Sequence, residues 1–321
     1  MTRSEYPGIG LISNPNSGHN RDQFARIEAL VARQPAIHHV VTRCRDDIAP
    51  ALGALSRRQV KVLAINGGDG TAAAILGRML EQAVFVKPPL IALLPGGTAN
   101  MNAGDVGIRG RLIPAMRRFC RWCEGRQDTH DRTVERPLLR VRTGGDSHYG
   151  MFLGAGAVMQ GTEYTHSEIH ARGLRDELSL ALGTARTIWG VLRNDPRFAR
   201  PVSISLRLDD AGEPAAHAAL ILAVSTLHRL FFGMRPFWGT GPGRLRVTLI
   251  EQHCSRFLRT FISIARGRPN RNAVPQSGYI SHNADRIELS MDGGLNLDGE
   301  IIHARGPVSI DTTGSLRFLR L

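Results

Sequence analysis

A glycine-rich turn with a single acidic residue follows an aliphatic segment in the first third of the chain. The segment Val60–Asn66 is rich in β-branched and aliphatic residues, which predicts a buried strand. The turn after it consists of Gly67, Gly68, Asp69, Gly70 and Thr71. Glycines let the backbone approach an anion closely, and a helix predicted for Thr71–Ala83 would direct its N-terminal N–H groups to the same point. Because Asp69 would repel a bare phosphate, we expect it to act through Mg²⁺, which indicates metal-assisted phosphoryl transfer.

Two further turns of similar composition follow predicted strands. After the strand Gly8–Ser13 the chain continues with Asn14, Pro15, Asn16, Ser17 and Gly18. After the strand Leu90–Leu94 it continues with Pro95, Gly96, Gly97, Thr98, Ala99 and Asn100. Ligands of an open parallel sheet collect at the carboxyl ends of its strands, so these three turns should converge on one site.

These turns and a fourth motif carry a family resemblance. NPNSG, GGDGT and PGGTAN are followed, near the C-terminus, by LDGE at residues 297–300. In this order and over almost its whole length, the chain resembles the diacylglycerol kinase catalytic-domain family, which includes bacterial soluble lipid kinases and sphingosine kinases. The resemblance implies an N-terminal α/β nucleotide-binding domain, a β-rich, sandwich-like C-terminal domain, and ATP with Mg²⁺ at the active site.

The resemblance also implies which residues contact the nucleotide. It assigns them to the three turns and to Thr42, at the end of the strand predicted for Ile37–Thr42. The candidates are Asn14, Pro15, Asn16, Ser17, Gly18, Thr42, Gly67, Gly68, Asp69, Gly70, Thr71, Gly96, Gly97, Thr98 and Asn100. Without the resemblance, Thr42 is an ordinary β-branched strand residue.

Two acidic residues of the LDGE motif are the C-terminal candidates. Apolar residues alternate with polar ones from Leu295 to Ile301, so on one extended strand Asp298 and Glu300 would share a face. A solvated polar face would explain that alternation equally well. The resemblance instead implies that Glu300 is the general base for a lipid hydroxyl and that Asp298 is its partner or a metal ligand. Asp69, Asp298 and Glu300 are thus the catalytic candidates, and Asp69 and Asp298 the candidate Mg²⁺ ligands; which C-terminal acid is the base stays open.

The chain departs from the family pattern at two places. The family usually has an aspartate after the residue equivalent to Asn100, whereas this chain has Met101. Many bacterial members also hold a structural Mg²⁺ at an aspartate-rich turn, and the nearest match here, residues 240–245 (TGPGRL), contains no acid. We therefore expect that structural ion to be missing, and the acceptor to be less certain than the ATP site.

Length and element order predict two domains. The chain has 321 residues, 42% of them hydrophobic, which suffices for two cores. Strands and helices alternate in the first part, as in a doubly wound α/β domain, and predicted strands then dominate, apart from a long helical segment at Glu168–Leu192. We place the boundary near Gln127, giving domains 1–127 and 128–321, and leave open whether the last strand, Ser315–Leu321, returns to the first.

The net charge of +13 is the strongest anomaly of the composition, and nearly all basic residues are arginine. A coding bias, nucleic acid or an anionic membrane would each explain it. Few aromatics, 6% of the chain, and no nucleic-acid motif argue against nucleic acid. One predicted helix combines arginines with aromatics at Arg117, Arg118, Phe119, Arg121 and Trp122, as a membrane-surface helix would, although a solvated face explains it equally well.

The sequence shows neither a signal-peptide pattern nor an apolar run near the ~20 residues that span a bilayer, and its four cysteines have no paired metal spacing. We therefore expect a cytoplasmic protein with reduced cysteines that associates peripherally with membranes, and we leave a homodimer open. The favoured activity is transfer of the γ-phosphoryl group of ATP to a lipid hydroxyl, with diacylglycerol the leading acceptor. A sphingoid base, another lipid or a nucleotide are alternative acceptors. A non-catalytic nucleotide-binding regulator is the alternative of another class, favoured by Met101.

Overall fold

The computed structural model describes residues 8–125, 132–164, 186, 190, 193, 195, 200–209, 212–304 and 306–321. It divides into two compact units, the first comprising Met1–Arg136 with Ser315–Leu321 and the second Pro137–Gly314. The boundary expected near Gln127 lies outside the described residues, as does the helical segment predicted for Glu168–Leu192 apart from two isolated positions.

The first unit is an open sheet with helices. In chain order its described elements are β1 (Ile9–Ser13), α1 (Asn20–Val31), β2 (Ile37–Val41), α2 (Ile48–Arg57), β3 (Val62–Gly67), α3 (Asp69–Glu81), β4 (Leu90–Pro95), α4 (Met101–Val106), α5 (Leu112–Cys123), β5 (Thr133–Arg136) and β17 (Leu316–Leu319). The strand order is β2-β1-β3-β4-β17-β5, with every pairing parallel except that of β5 with β17. The predicted doubly wound α/β fold is confirmed.

Helices on both faces explain why these strands are apolar throughout. Ile9 and Leu11 of β1 pack in one cluster with Ile27 of α1 and Phe119 of α5. Gly10, between them, faces Leu55 of α2, and a Cβ at Gly10 would lie 2.8 Å from the Leu55 Cδ1 atom. The strand order reverses between β1 and β3, so the turns that follow these two strands flank the crevice where open sheets bind ligands.

The second unit is an antiparallel sheet with two described helices. Its elements are β6 (Leu139–Thr143), β7 (Asp146–Gly150), β8 (Phe152–Gly156), α6 (Ala157–Tyr164), β9 (Val202–Leu208), β10 (Ala215–Ser225), β11 (Leu245–Glu251), α7 (Phe257–Ala265), β12 (Tyr279–Ala284), β13 (Ile287–Met291), β14 (Gly294–Leu297), β15 (Glu300–His303) and β16 (Val308–Thr312). The sheet order is β15-β14-β8-β10-β9-β13-β16-β6-β7, with β11 pairing β10 and β12. The expected β-rich second domain is confirmed.

Strand β10 organises this sheet. It pairs with β9 through its first half, with β8 through its second half and with β11 along the other edge. A register shift between Ala219 and Ile221 accompanies the exchange of partners. One long strand thus holds three neighbours around the apolar core of the unit.

Several predicted elements have different bounds. The strand predicted for Val60–Asn66 is β3 at Val62–Gly67, and the strand predicted for Ser315–Leu321 is β17 at Leu316–Leu319. Helix α3 begins at Asp69 instead of Thr71, because Gly68 is already its extended N-terminal cap residue. The helices α4, α6 and α7 were not predicted, since each has nine residues or fewer and therefore little periodicity.

Helix α5 corrects one detail of the membrane hypothesis. Phe119 and Trp122 are buried in the core of the first unit, so the helix exposes arginines without aromatic side chains.

All four cysteines are free thiols, and burial raises the pKa of Cys120 on this helix to about 11. Among the described residues, no helix combines the length and apolar content needed to cross a bilayer.

Candidate functional site

The three predicted turns of the first unit meet at the carboxyl ends of β1, β3 and β4. Asn20, the buried first residue of α1, joins all three: its backbone N–H donates to the Gly96 carbonyl (3.3 Å), and its Nδ2 donates to the carbonyls of Asn14 (2.7 Å) and Asn66 (3.2 Å). The Asn14 N–H also donates to the Asn66 carbonyl at 2.9 Å. Sequence analysis missed Asn20, although an asparagine two residues after Gly18 of the first turn was an available signal.

Polar side chains from the first two turns lie within hydrogen-bonding distance of each other. Asn14 Nδ2 donates to Thr71 Oγ1 at 3.0 Å, and the hydroxyls of Ser17 and Thr71 are 3.4 Å apart. Three residues from two separate motifs therefore form one cluster of neutral hydrogen-bonding groups.

The glycines are needed because the backbones touch. A Cβ added at Gly97 would lie 2.3 Å from the Cα atom of Gly68, and one at Gly18 would lie 2.6 Å from Thr98 Oγ1. Asn100 closes the third turn: its left-handed backbone (φ 49°) lets Oδ1 accept the Gly97 N–H at 2.8 Å while Nδ2 donates to the Gly97 carbonyl at 2.7 Å. These turns form a close-packed backbone cradle.

Asp69 links this cradle to helix α4. Its Oδ2 accepts the Met101 N–H at 3.0 Å and its Oδ1 accepts the Asn102 N–H at 2.8 Å. The carboxylate thus caps the first turn of α4, where backbone N–H groups have no partner within the helix. Burial raises the pKa of the Asp69 carboxyl, and the two N–H donors work against that rise. The side chain of Met101, which stands where the family usually has an aspartate, is buried.

The substitution Asp69→Asn should reduce stability as well as turnover. An amide oxygen replaces only one acceptor, and the amide NH₂ group then faces a backbone N–H. Hydrogen bonds to a charged group contribute about 1.5–3 kcal/mol, so we expect a loss of about 2 kcal/mol and a Tm lower by about 4–8 °C.

Thermal unfolding and a kinase assay on the same preparations test this expectation. Asp22→Asn is the matched control, because Asp22 lies in the first turn of α1, is exposed, and should tolerate the same change. An Asp69→Asn protein with the wild-type Tm would contradict the capping role, and one with near-normal activity would contradict its place in the site.

The remaining nucleotide candidates of the first unit lie along the same edge. Thr42 follows β2, is buried, and donates its N–H to the Ser13 carbonyl at 2.9 Å. Asn16, after Pro15, donates its N–H to Asn14 Oδ1 at 2.9 Å, which shapes the first turn. Gly70 lies in the first turn of α3. Their contacts with a nucleotide stay predictions.

In the second unit the LDGE motif forms a hairpin turn, so the prediction of one extended strand with both acids on the same face was wrong. Leu297 of β14 pairs with Glu300 of β15, and Asp298 and Gly299 form the connection with φ of 49° and 92°. Asp-Gly is favoured in such tight turns because both central residues have positive φ.

Asp298 and Glu300 consequently have different surroundings. Asp298 is buried; its Oδ2 accepts the Met151 N–H at 2.8 Å, and its Oδ1 accepts the Phe152 N–H at 3.1 Å. These bonds fix the hairpin to β8. Glu300 is partly exposed at the start of β15. Asn296, a residue that sequence analysis missed, is buried and accepts the Gly299 N–H through Oδ1 at 3.1 Å.

Carboxylate oxygens are the candidate metal donors of the site. Within the described part of the chain, no group of three or more His, Cys, Asp or Glu side chains is arranged to hold a metal ion. Mg²⁺ needs only one or two carboxylates when phosphate oxygens complete its shell, so Asp69 beside the cradle fits that arrangement. The turn at residues 240–245 packs against β12: a Cβ at Gly243 would lie 2.2 Å from the backbone carbon of Ala284.

Comparisons with known proteins support the fold and the family resemblance. A structure of a diacylglycerol kinase from Bacillus anthracis str. Sterne is 15% identical, with 99% of this chain and 98% of that chain covered and a TM-score of 0.62. A second solved structure is of a protein from the same strain that is provisionally named a diacylglycerol kinase. It has the same identity and coverage and a TM-score of 0.66. At this identity the likeness shows a common fold. No curated protein matches the chain significantly. The model of the diacylglycerol kinase catalytic domain matches residues 8–130, which contain NPNSG, GGDGT and PGGTAN, and the family resemblance of this part of the chain is therefore confirmed.

Proposed function

We propose that the chain is an ATP-dependent lipid kinase that transfers the γ-phosphoryl group to a lipid hydroxyl, with diacylglycerol as the leading acceptor. The observation that carries the proposal is the convergence of three glycine-rich turns at the carboxyl edge of the parallel sheet, in a domain that matches a kinase family. We further propose that the protein works at an anionic membrane surface, where such an acceptor is found.

Helix α3 is the helix suited to hold a phosphate. In α1 the first N–H groups already have acceptors, because Asn20 donates to Gly96 and Arg21 donates to Ser17. The first turn of α3 contains Gly70 and Thr71, whose N–H groups have no partner within the helix. Asp69 does not oppose this, because its carboxylate is bonded to the start of α4.

Neutral side chains of the cradle would complete the phosphate contacts. Asn14, Ser17 and Thr71 bond to one another in this structure and could exchange those bonds for phosphate oxygens. Mg²⁺, when bound, would neutralise charge on the phosphates, with Asp69 as the proposed ligand. We propose Glu300 as the base that takes the proton of the lipid hydroxyl, and Asp298 as the residue that positions the hairpin carrying Glu300.

A panel of acceptors assayed with labelled ATP tests the proposal. The panel contains diacylglycerol, a sphingoid base, another lipid alcohol and a nucleotide, and we expect the label to pass to diacylglycerol. Transfer of the label to another acceptor of the panel would support a kinase with a different substrate. Binding of ATP without transfer to any acceptor would reject the kinase proposal.

The non-catalytic regulator remains a second candidate because of one observation. Met101, at the position of the usual family aspartate, is buried, and the first turn of α4 contains no acidic residue. A chain that binds ATP through the cradle but lacks an acceptor contact there would act through binding alone. The same panel separates this candidate from the kinase.

Replacing Gly97 with alanine should weaken ATP binding by about tenfold or more. The added methyl would lie 2.3 Å from the Gly68 Cα atom, so the two glycine turns must move apart, and overpacking of this kind costs about 1–3 kcal/mol. Gly104→Ala is the matched control, because nothing lies within 4 Å of a Cβ at that helical position. Calorimetric titration with ATP measures both variants; unchanged affinity for Gly97→Ala would remove the cradle from the nucleotide site.

A further inference from the structure

Helix α7 of the second unit exposes apolar side chains. Leu258 and Ile262 lie four residues apart, so they are neighbours on one helix face, and 43% and 37% of their surfaces are exposed. The opposite side of the helix is anchored by Thr260 and Ile264, both buried. The exposed pair is therefore not needed for the packing of α7.

Two segments that contact α7 also expose apolar side chains. Phe232 is 58% exposed, and its segment is tied to α7 by the Arg235 N–H, which donates to the carbonyl of Ala265 at 2.8 Å. Val274 is 37% exposed and follows Ala273, which packs in the same cluster as Ile264 of α7. We call Phe232, Leu258, Ile262 and Val274 the α7 surface. It contains four of the six exposed large hydrophobic side chains of the described residues, so the exposed apolar area is concentrated here.

The chain around the α7 surface is strongly basic. From Gln252 to Ala284 the sequence has no Asp or Glu and five arginines, all exposed: Arg256, Arg259, Arg266, Arg268 and Arg271. None of these side chains forms an ion pair with a carboxylate of the described residues. The α7 surface thus combines apolar side chains with uncompensated positive charge.

Helix α5 lacks this combination. Arg117 and Arg121 are exposed, but the aromatic side chains beside them are buried, and the groove next to them is also lined by Glu124. A basic surface without apolar side chains attracts anionic lipid only through charge. A surface with both can insert into the boundary between headgroups and acyl chains.

We propose that the α7 surface docks the protein on an anionic lipid bilayer. Leu258, Ile262 and Phe232 would enter the boundary between headgroups and acyl chains, and the arginines would contact anionic headgroups. The inference rests on the proposed function, because a kinase whose acceptor lies in a bilayer must reach it from the surface. It assigns that contact to the second unit.

Vesicle sedimentation without ATP tests the docking surface. The vesicles consist of phosphatidylcholine alone or with an equal part of phosphatidylglycerol. Wild type should bind the anionic vesicles, and more weakly with added salt. Arg259→Gln/Arg266→Gln should weaken binding about 25-fold, at about fivefold for each arginine. Leu258→Gln/Ile262→Gln should weaken it about tenfold or more.

Arg117→Gln/Arg121→Gln is the matched control, because it removes the same charge from α5 and should bind like wild type. An equal loss in this control, or wild-type binding by both α7 variants, would overturn the proposal. A wild-type dimer in analytical ultracentrifugation that Leu258→Gln/Ile262→Gln dissociates, with vesicle binding unchanged, would assign the surface to a second copy of the chain instead.

The outcome for docking is separable from the outcome for catalysis. With a short-chain, water-soluble diacylglycerol the α7 variants should keep the wild-type rate, and with the acceptor in anionic vesicles they should lose it in proportion to binding. If the wild-type protein binds vesicles but phosphorylates no acceptor, the kinase proposal is rejected and the docking proposal is retained.

Discussion

Glu300→Gln should lower the rate of lipid phosphorylation by about a hundredfold or more, the usual contribution of a general base, while ATP affinity and Tm stay at wild-type values. Glu300 is partly exposed at the start of β15, so the amide costs little in packing. The amide cannot accept the proton of the lipid hydroxyl. Turnover, calorimetric titration with ATP and thermal unfolding measured on one preparation separate chemistry from binding and folding.

The control for this variant is Glu213→Gln. Glu213 lies before β10 in the same unit and is exposed, so the same chemical change there should leave all three measurements unchanged. A Glu300→Gln enzyme within a few-fold of the wild-type rate would show that another group takes the proton. A parallel loss of ATP affinity would instead assign Glu300 to nucleotide binding.

The first unit was predictable because its signals are local. The buried strands β1, β3 and β4 each lead directly into a glycine-containing turn, and the doubly wound order places those turns at one edge. The contact that fixes the edge was not predictable: Asp69 bonds the backbone of Met101 and Asn102, more than thirty residues along the chain. Such a contact depends on tertiary packing, so the sequence indicated roles for Asp69 toward the nucleotide, catalysis and Mg²⁺ but none at the start of α4.

The second unit was harder to predict, for a different reason. Its strands pair over long separations, and β10 takes three partners, which no local pattern encodes. At the LDGE motif a local signal was present but was outweighed by the alternation of apolar and polar residues. Asp298-Gly299 between two alternating segments is the sequence pattern of a tight hairpin, and the turn reverses the chain between the two acids.

The basic composition shows why exposure must be known before a surface is assigned. Arginines next to Phe119 and Trp122 suggested a membrane helix at α5, yet the period of a helix places those aromatics in the core. On α7 the same reasoning gives the opposite result, because Leu258 and Ile262 lie on the face left open by its buried residues. Sequence shows which residues are adjacent along the chain; the structure shows which of them face solvent.

The role of Asp298 can be separated from that of Glu300 by a change that keeps the turn. Asp298 has a positive φ of 49°, a conformation that asparagine also tolerates, so Asp298→Asn preserves the backbone and removes the carboxylate. One of the two N–H groups, of Met151 or Phe152, then loses its acceptor inside the protein. A buried unsatisfied donor and a lost charged hydrogen bond should together cost about 2–3 kcal/mol.

The expected result is a Tm lower by about 4–12 °C, with a rate that falls less than in Glu300→Gln at a temperature where both variants are folded. Asp292→Asn is the control, since Asp292 is exposed after β13 in the same unit. The two acids of the motif would then have separate tasks: the Asp298 carboxylate, whose oxygens both accept backbone N–H groups, fixes the hairpin, and Glu300 takes the proton of the acceptor hydroxyl. If Asp298→Asn instead kept the wild-type Tm and lost the rate as fully as Glu300→Gln, both acids would belong to the chemistry, and the hairpin would be held by its strand pairing alone.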